Sequence, residues 1–121
     1  MAIAAPGIPV YCAVGDGGIQ AYPAELKLIL ALKLPICILF MSDGQYGSIA
    51  CAAPDGSSMS ALMIKMPSWY RVAEAMGMNS ARCENGTSFR ETIENWDRQS
   101  PLFIECVFDR SAYLVMTKGL R

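Results

Sequence analysis

The chain has 121 residues, and 10 basic against 11 acidic groups leave a net charge of −1 with no histidine. That length allows a single domain, residues 1–121, and a hydrophobic content of 53% excludes a disordered tail. The balanced charge excludes the basic stripe of a nucleic-acid binder, and the lack of histidine removes His-based triads, His metal sites and the usual proton shuttle.

The first predicted element is a buried strand over Ile8–Val14, β-branched at Ile8, Val10 and Val14 and stopped by the turn Gly15-Asp16-Gly17-Gly18. A helix follows from about Pro23 to Lys33, with Leu26, Ile29, Leu30 and Leu34 spaced for one face and Leu28 and Leu32 on others. Ile36–Met41 is a second buried strand, introduced by Pro35 and closed by Ser42-Asp43-Gly44. Gln45–Met66 reads as a long irregular stretch around Pro54-Asp55-Gly56, and loops of that length are usually functional or mobile.

Pro67 and Ser68 open a helix through Trp69, Val72, Ala73 and Met76 that stops at Gly77. Ser80–Glu84 is a short strand, and after the turn Asn85-Gly86 a helix capped by Thr87 or Ser88 runs to about Arg98. Leu102–Phe108 is the last buried strand, followed by a polar tail to Arg121. Strands that are continuously apolar and alternate with helices predict an α/β fold: a doubly wound parallel sheet in three layers, α/β/α.

The most apolar run, Leu26–Met41, is broken by Lys27, Lys33 and Pro35, and falls short of the ~20 residues of a membrane span. Met1–Gly7 lacks the basic region of a signal peptide. The cysteines Cys12, Cys37, Cys51, Cys83 and Cys106 form no CxxC pair, which fits buried free thiols and a cytoplasmic location. Asn85-Gly86-Thr87 is a turn and cap rather than a glycosylation site, and the methionines, Trp69 and Trp96 read as packing residues. Residues 1–66 carry only Asp16, Glu25, Lys27, Lys33, Asp43, Asp55 and Lys65 as charged groups, so this half is the side expected to dock to a partner.

Chemistry concentrates at two strand ends, Gly15-Asp16-Gly17-Gly18 and Ser42-Asp43-Gly44-Gln45. In a parallel sheet both lie at the carboxyl edge, where ligands bind. Backbone N–H groups at a glycine turn entering a helix favour an anion. Paired carboxylates with carbonyl oxygens suit a hard cation such as Mg2+, and an anion cradle beside Mg2+ points to a bound diphosphate.

Gly15-Asp16-Gly17 with Asp43 some two dozen residues on resembles the thiamine-diphosphate motif, written GDG and ending in NN. Gln20, Glu25, Leu26, Leu34 and Pro35 are similar to residues common in acetolactate-synthase-like and pyruvate-decarboxylase-like enzymes, as is the pair Tyr46-Gly47. Ala73-Glu74-Ala75-Met76-Gly77 resembles the family's AEAFG helix, and Pro101-Leu102-Phe103-Ile104-Glu105 its GPxLIE strand. The resemblance covers Pro9 to Phe108.

The resemblance implies a Rossmann-like diphosphate-binding domain with thiamine diphosphate and Mg2+ as cofactors. Asp16 and Asp43 would ligate Mg2+ by side chain and Gln45 by its main-chain carbonyl, and Gly15 belongs to the same turn. Gly17 and Gly18 would contact the diphosphate through their backbone, flanked by Tyr46 and Gly47. Where the family has Asn-Asn, this chain has Ser42-Asp43, which adds a negative charge beside the diphosphate. The chain is expected to begin after the family's first strand and helix, and to lack the pyrimidine-binding domain that carries the activating glutamate. The implied function is a component of a 2-oxo acid decarboxylase or carboligase, a lyase or transferase inactive as an isolated chain and oligomeric with a pyrimidine-binding domain or subunit. The alternatives are a non-catalytic remnant serving as an interaction module and another Mg2+-phosphate enzyme on this fold.

Overall fold

The computed structural model describes residues 2–52, 67–109 and 111. Among the described residues, nine elements follow in chain order: β1 (Val10–Gly15), α1 (Asp16–Ala21), α2 (Glu25–Ala31), β2 (Ile36–Ser42), α3 (Gly47–Ala52), α4 (Trp69–Ala75), β3 (Asn79–Cys83), α5 (Gly86–Glu94) and β4 (Leu102–Val107). The strands form one wholly parallel sheet in the order β1-β2-β4-β3. The path steps outward from β1 to β2, skips a place to β3, and returns to insert β4. Reversal of direction sends a right-handed crossover to the opposite face, which makes the sheet doubly wound.

The two faces follow from the alternation of side chains along each strand. Ile38 and Phe40 of β2 and Phe103 of β4 pack with Ile19 of α1, Leu26 of α2 and Trp69 and Ala73 of α4. The intervening residues Cys37, Leu102 and Ile104 pack on the other side with Cys83, Trp96, and Phe89 and Ile93 of α5. Among the described residues, Phe40, Phe103, Ile104 and Cys37 are the largest fully buried side chains, so the core lies on the central strands.

Local stops explain the element ends. Gly77 at φ 93° terminates α4, its N–H donating to the Glu74 carbonyl while Met78 donates to Ala73. The amino end of α4 takes an acceptor from another element: buried Glu105 of β4 accepts the Tyr70 N–H at 2.9 Å. The α5 cap is Asn85, whose side chain accepts the Ser88 N–H at 2.9 Å, rather than Thr87 or Ser88. Asn has the short side-chain carbonyl that this geometry needs, one residue before a permissive Gly86. That helix ends at Glu94, short of Arg98, and Trp96 packs beyond it with its indole N–H donating to the Ser100 carbonyl at 2.7 Å.

Three other expectations change. Asp16, Gly17 and Gly18 form the first turn of α1 and not a free loop. Residues 47–52 of the expected irregular stretch are the helix α3, while 53–66 lie outside the described residues, as do 110 and the tail 112–121. The first strand is not buried: as a sheet edge, β1 leaves Tyr11, Cys12 and Ala13 exposed. Among the described residues, the exposed large apolar side chains, Tyr22 and Ile3 among them, lie in the charge-poor half, except for Met76 of α4. Among the described residues no helix is long and apolar enough to cross a membrane.

Candidate functional site

The carboxyl ends of β1 and β2 are register neighbours, Gly15 opposite Met41, so whatever follows each strand meets across one gap. A cavity of about 460 Å3 opens there, lined by Gly15, Asp16, Gly17, Gly18, Asp43, Gln45, Tyr46 and Gly47, together with Met41, Ile49 and Phe108. All eight residues singled out from the sequence are thus brought to one place. Met41, Ile49 and Phe108 were not foreseen, because as isolated apolar residues they carry no signal of a site. Phe108 follows β4 directly, and its N–H donates to the Ser42 carbonyl at 3.2 Å, which ties the exit of β4 to that of β2.

Asp16 opens α1 and is buried. Its Oδ2 accepts the Asp43 N–H at 3.3 Å, while its Oδ1 is buried without a hydrogen-bond partner among the described residues. Desolvation is the main cause that pushes its pKa up to about 7, and the facing Asp43 side chain adds to it. Asp43 is half-buried, and its Oδ1 accepts the Gln45 N–H at 3.2 Å. This two-residue return passes through Gly44 at φ 73°, a left-handed conformation that glycine adopts without strain. Gln45 is buried by the turn.

The glycines of α1 differ in what they permit. A Cβ on Gly18 would lie 2.5 Å from Val14 Cγ2, so the first turn of α1 packs too closely on β1 for any side chain. At Gly17 the nearest atom to such a Cβ is Tyr46 Cε1 at 3.4 Å, which lays the Tyr46 ring along the turn. Gln20, one turn further on, holds that ring: its Nε2 donates to the Asp16 carbonyl at 3.1 Å and its Oε1 accepts from the Tyr46 hydroxyl at 3.5 Å. Gln20 therefore positions the site from outside it, a role that residue type alone does not signal.

An unpartnered buried carboxylate oxygen beside a second carboxylate is a costly arrangement that a cation relieves. Among the described residues no three His, Cys, Asp or Glu side chains gather as a metal group. Two carboxylates suit Mg2+, which commonly binds one or two carboxylates and completes its shell with phosphate oxygens and water. The first N–H groups of α1 lack intrahelical acceptors and border the same cavity, so they supply donors for an anion. The donor set thus fits a divalent cation carrying a phosphate group.

A search of curated proteins finds no match to the chain. A protein-family model described as the thiamine pyrophosphate enzyme, C-terminal TPP binding domain, matches residues 1–106. Because that match runs from before β1 to Cys106 near the end of β4, taking in the whole cavity except Phe108, the chain belongs to the C-terminal TPP-binding domain family of thiamine pyrophosphate enzymes.

Proposed function

We propose that the chain anchors the diphosphate of thiamine diphosphate through Mg2+ as a component of an acetolactate-synthase-like 2-oxo acid decarboxylase or carboligase. The observation that carries this reading is the buried, unpartnered Asp16 Oδ1 beside Asp43 in a cavity lined by Gly17 and Gly18. Asp16 and Asp43 would hold the metal through their carboxylates, and Gln45 through its main-chain carbonyl. The backbone at Gly17 and Gly18 would meet the diphosphate, with Gly15, Tyr46 and Gly47 bordering it. The bound cofactor supplies the carbanion chemistry of C–C cleavage and ligation, and this chain supplies position and charge balance. Its activating glutamate would come from a pyrimidine-binding domain or subunit, leaving the isolated chain without activity. The low charge of residues 1–66 and the exposed Ile3, Tyr22 and Leu32 among the described residues support a docked partner; the assembly would be a cytoplasmic oligomer.

Calorimetry on the chain with its native partner tests the reading. Thiamine diphosphate is expected to bind only with Mg2+, to be released by EDTA, and to bind far more weakly to Asp16→Ala. Unchanged affinity in that variant overturns the metal assignment, and preference for a nucleotide over thiamine diphosphate overturns the cofactor.

A further inference from the structure

The carboxyl edge of the sheet holds a second cavity, of about 600 Å3, on the side covered by α5. Its walls are mostly apolar: Leu39 of β2, Cys83 of β3, Phe89 of α5, and Cys106 and Val107 of β4. Leu39, Phe89, Cys106 and Val107 are only half-buried, which leaves apolar surface in need of cover.

The chain itself supplies an occupant. Asp109 lines the cavity, and its Oδ1 accepts the Ser111 N–H at 2.9 Å, so the chain bends at the cavity wall after leaving β4. Residues 112–121, outside the described residues, continue from that point. Tyr113 is four residues past Asp109 and can lie up to about 14 Å from it, so the segment reaches the cavity without moving β4. Ala112-Tyr113-Leu114-Val115-Met116 is a run of five apolar residues in a tail that is otherwise mostly polar. Leaving such a run in water is unfavourable.

Charge points the same way. Among the described residues, the charged groups lining the cavity are Glu84 and Asp109, both acidic. Glu84 is exposed and pairs with Arg82 at 3.1 Å, so it stays at the rim. The tail carries Arg110, Lys118 and Arg121 and no acidic residue, and thus brings positive charge to an acidic rim.

We propose that residues 112–116 of this chain dock in the apolar cavity between β2, β4 and α5. A short tether favours the chain's own tail over that of a second copy, because it sets an effective concentration on the order of millimolar. The docked segment backs Met41 and Phe108, which line both this cavity and the one at Asp16, and so covers the carboxyl edge without entering the diphosphate cavity. The docking depends on these walls and this tail, and not on the ligand of the other cavity.

The test is photocrosslinking of the full chain carrying Val115→p-benzoylphenylalanine, mixed with an isotopically labelled copy, with adducts mapped by mass spectrometry. Adducts on Leu39, Cys83 or Phe89, all distant in sequence from the tail, are expected within single chains. Leu114→Asp should lower their yield at least about fivefold, since docking would then bury a charge. Lys118→Glu should lower it by about twofold at low salt only. Adducts absent from those walls overturn the docking, and adducts found only between labelled and unlabelled copies overturn the choice of the chain's own tail. An unchanged yield in Leu114→Asp overturns the apolar contact. If Leu114→Asp does not fold by circular dichroism, the adduct map of the Val115 variant alone carries the decision.

Discussion

The ends of β1 and β2 each place an aspartate beside a glycine, yet the two carboxylates stand in opposite situations. Asp16 begins a helix that packs back onto β1, so it is buried, one oxygen is unpartnered, and its pKa rises to about 7. Asp43 begins a turn through Gly44 and is half-buried, with a neighbouring N–H from Gln45 to accept. One residue type in two backbone settings thus becomes a strained anchor in one case and a relaxed one in the other. The difference teaches that the buried carboxylate holds the demand for a cation, while its neighbour supplies charge and shape.

The largest expected effect separates the pair directly. Asp16→Asn should weaken Mg2+-dependent thiamine diphosphate binding by at least about 100-fold, whereas Asp43→Asn should change it by less than about tenfold, since it also removes a negative charge beside the diphosphate. Calorimetry on both variants reads this, and equal losses would erase the distinction between the two strand ends.

The second effect appears without cofactor. Folding raises the Asp16 pKa, so the folded chain holds that proton more tightly than the unfolded one. The resulting stability is complete below about pH 4 and is lost as the pH rises through about 7, a change on the order of a few kcal/mol at 1.36 kcal/mol per pKa unit. Urea denaturation of the metal-free chain at pH 5 and pH 8 should show the decline, and Asp16→Asn should flatten it. That variant would then be more stable at pH 8 while binding less cofactor, the trade expected of a strained functional group.

Smaller effects come from the two glycines. Gly18→Ala should cost about 1–3 kcal/mol by overpacking against Val14, and Val14→Ala in the same chain should recover part of that cost. Gly44→Ala meets no atom, so its cost should be only the left-handed backbone of about 1 kcal/mol, with no rescue by any neighbour. Equal, unrescued costs at both positions would show that α1 does not sit as closely on β1 as its geometry indicates.

The order of strands and helices was legible because continuous apolar runs, proline entries and glycine exits are local signals. Ile36–Ser42 and Leu102–Val107 lie within a residue of their expected bounds for that reason. Gly15-Asp16-Gly17-Gly18 was legible as a site but not as helix, since glycines argue against a helix interior and only the close approach to Val14 requires one. Gly47–Ala52 is not legible as helix, because a short helix among small residues has little apolar period to betray it.

What the sequence by itself determined was the alternation of parallel strands with helices and the identity of the two aspartate-glycine ends, both written in short-range patterns of residue type. Only the tertiary structure decided that β1 is an exposed edge, that β4 inserts between β2 and β3, and that Asp16 is buried with an oxygen left over. These depend on which strands become neighbours and at what register, and register is settled by the packing of whole faces against helices distant in sequence.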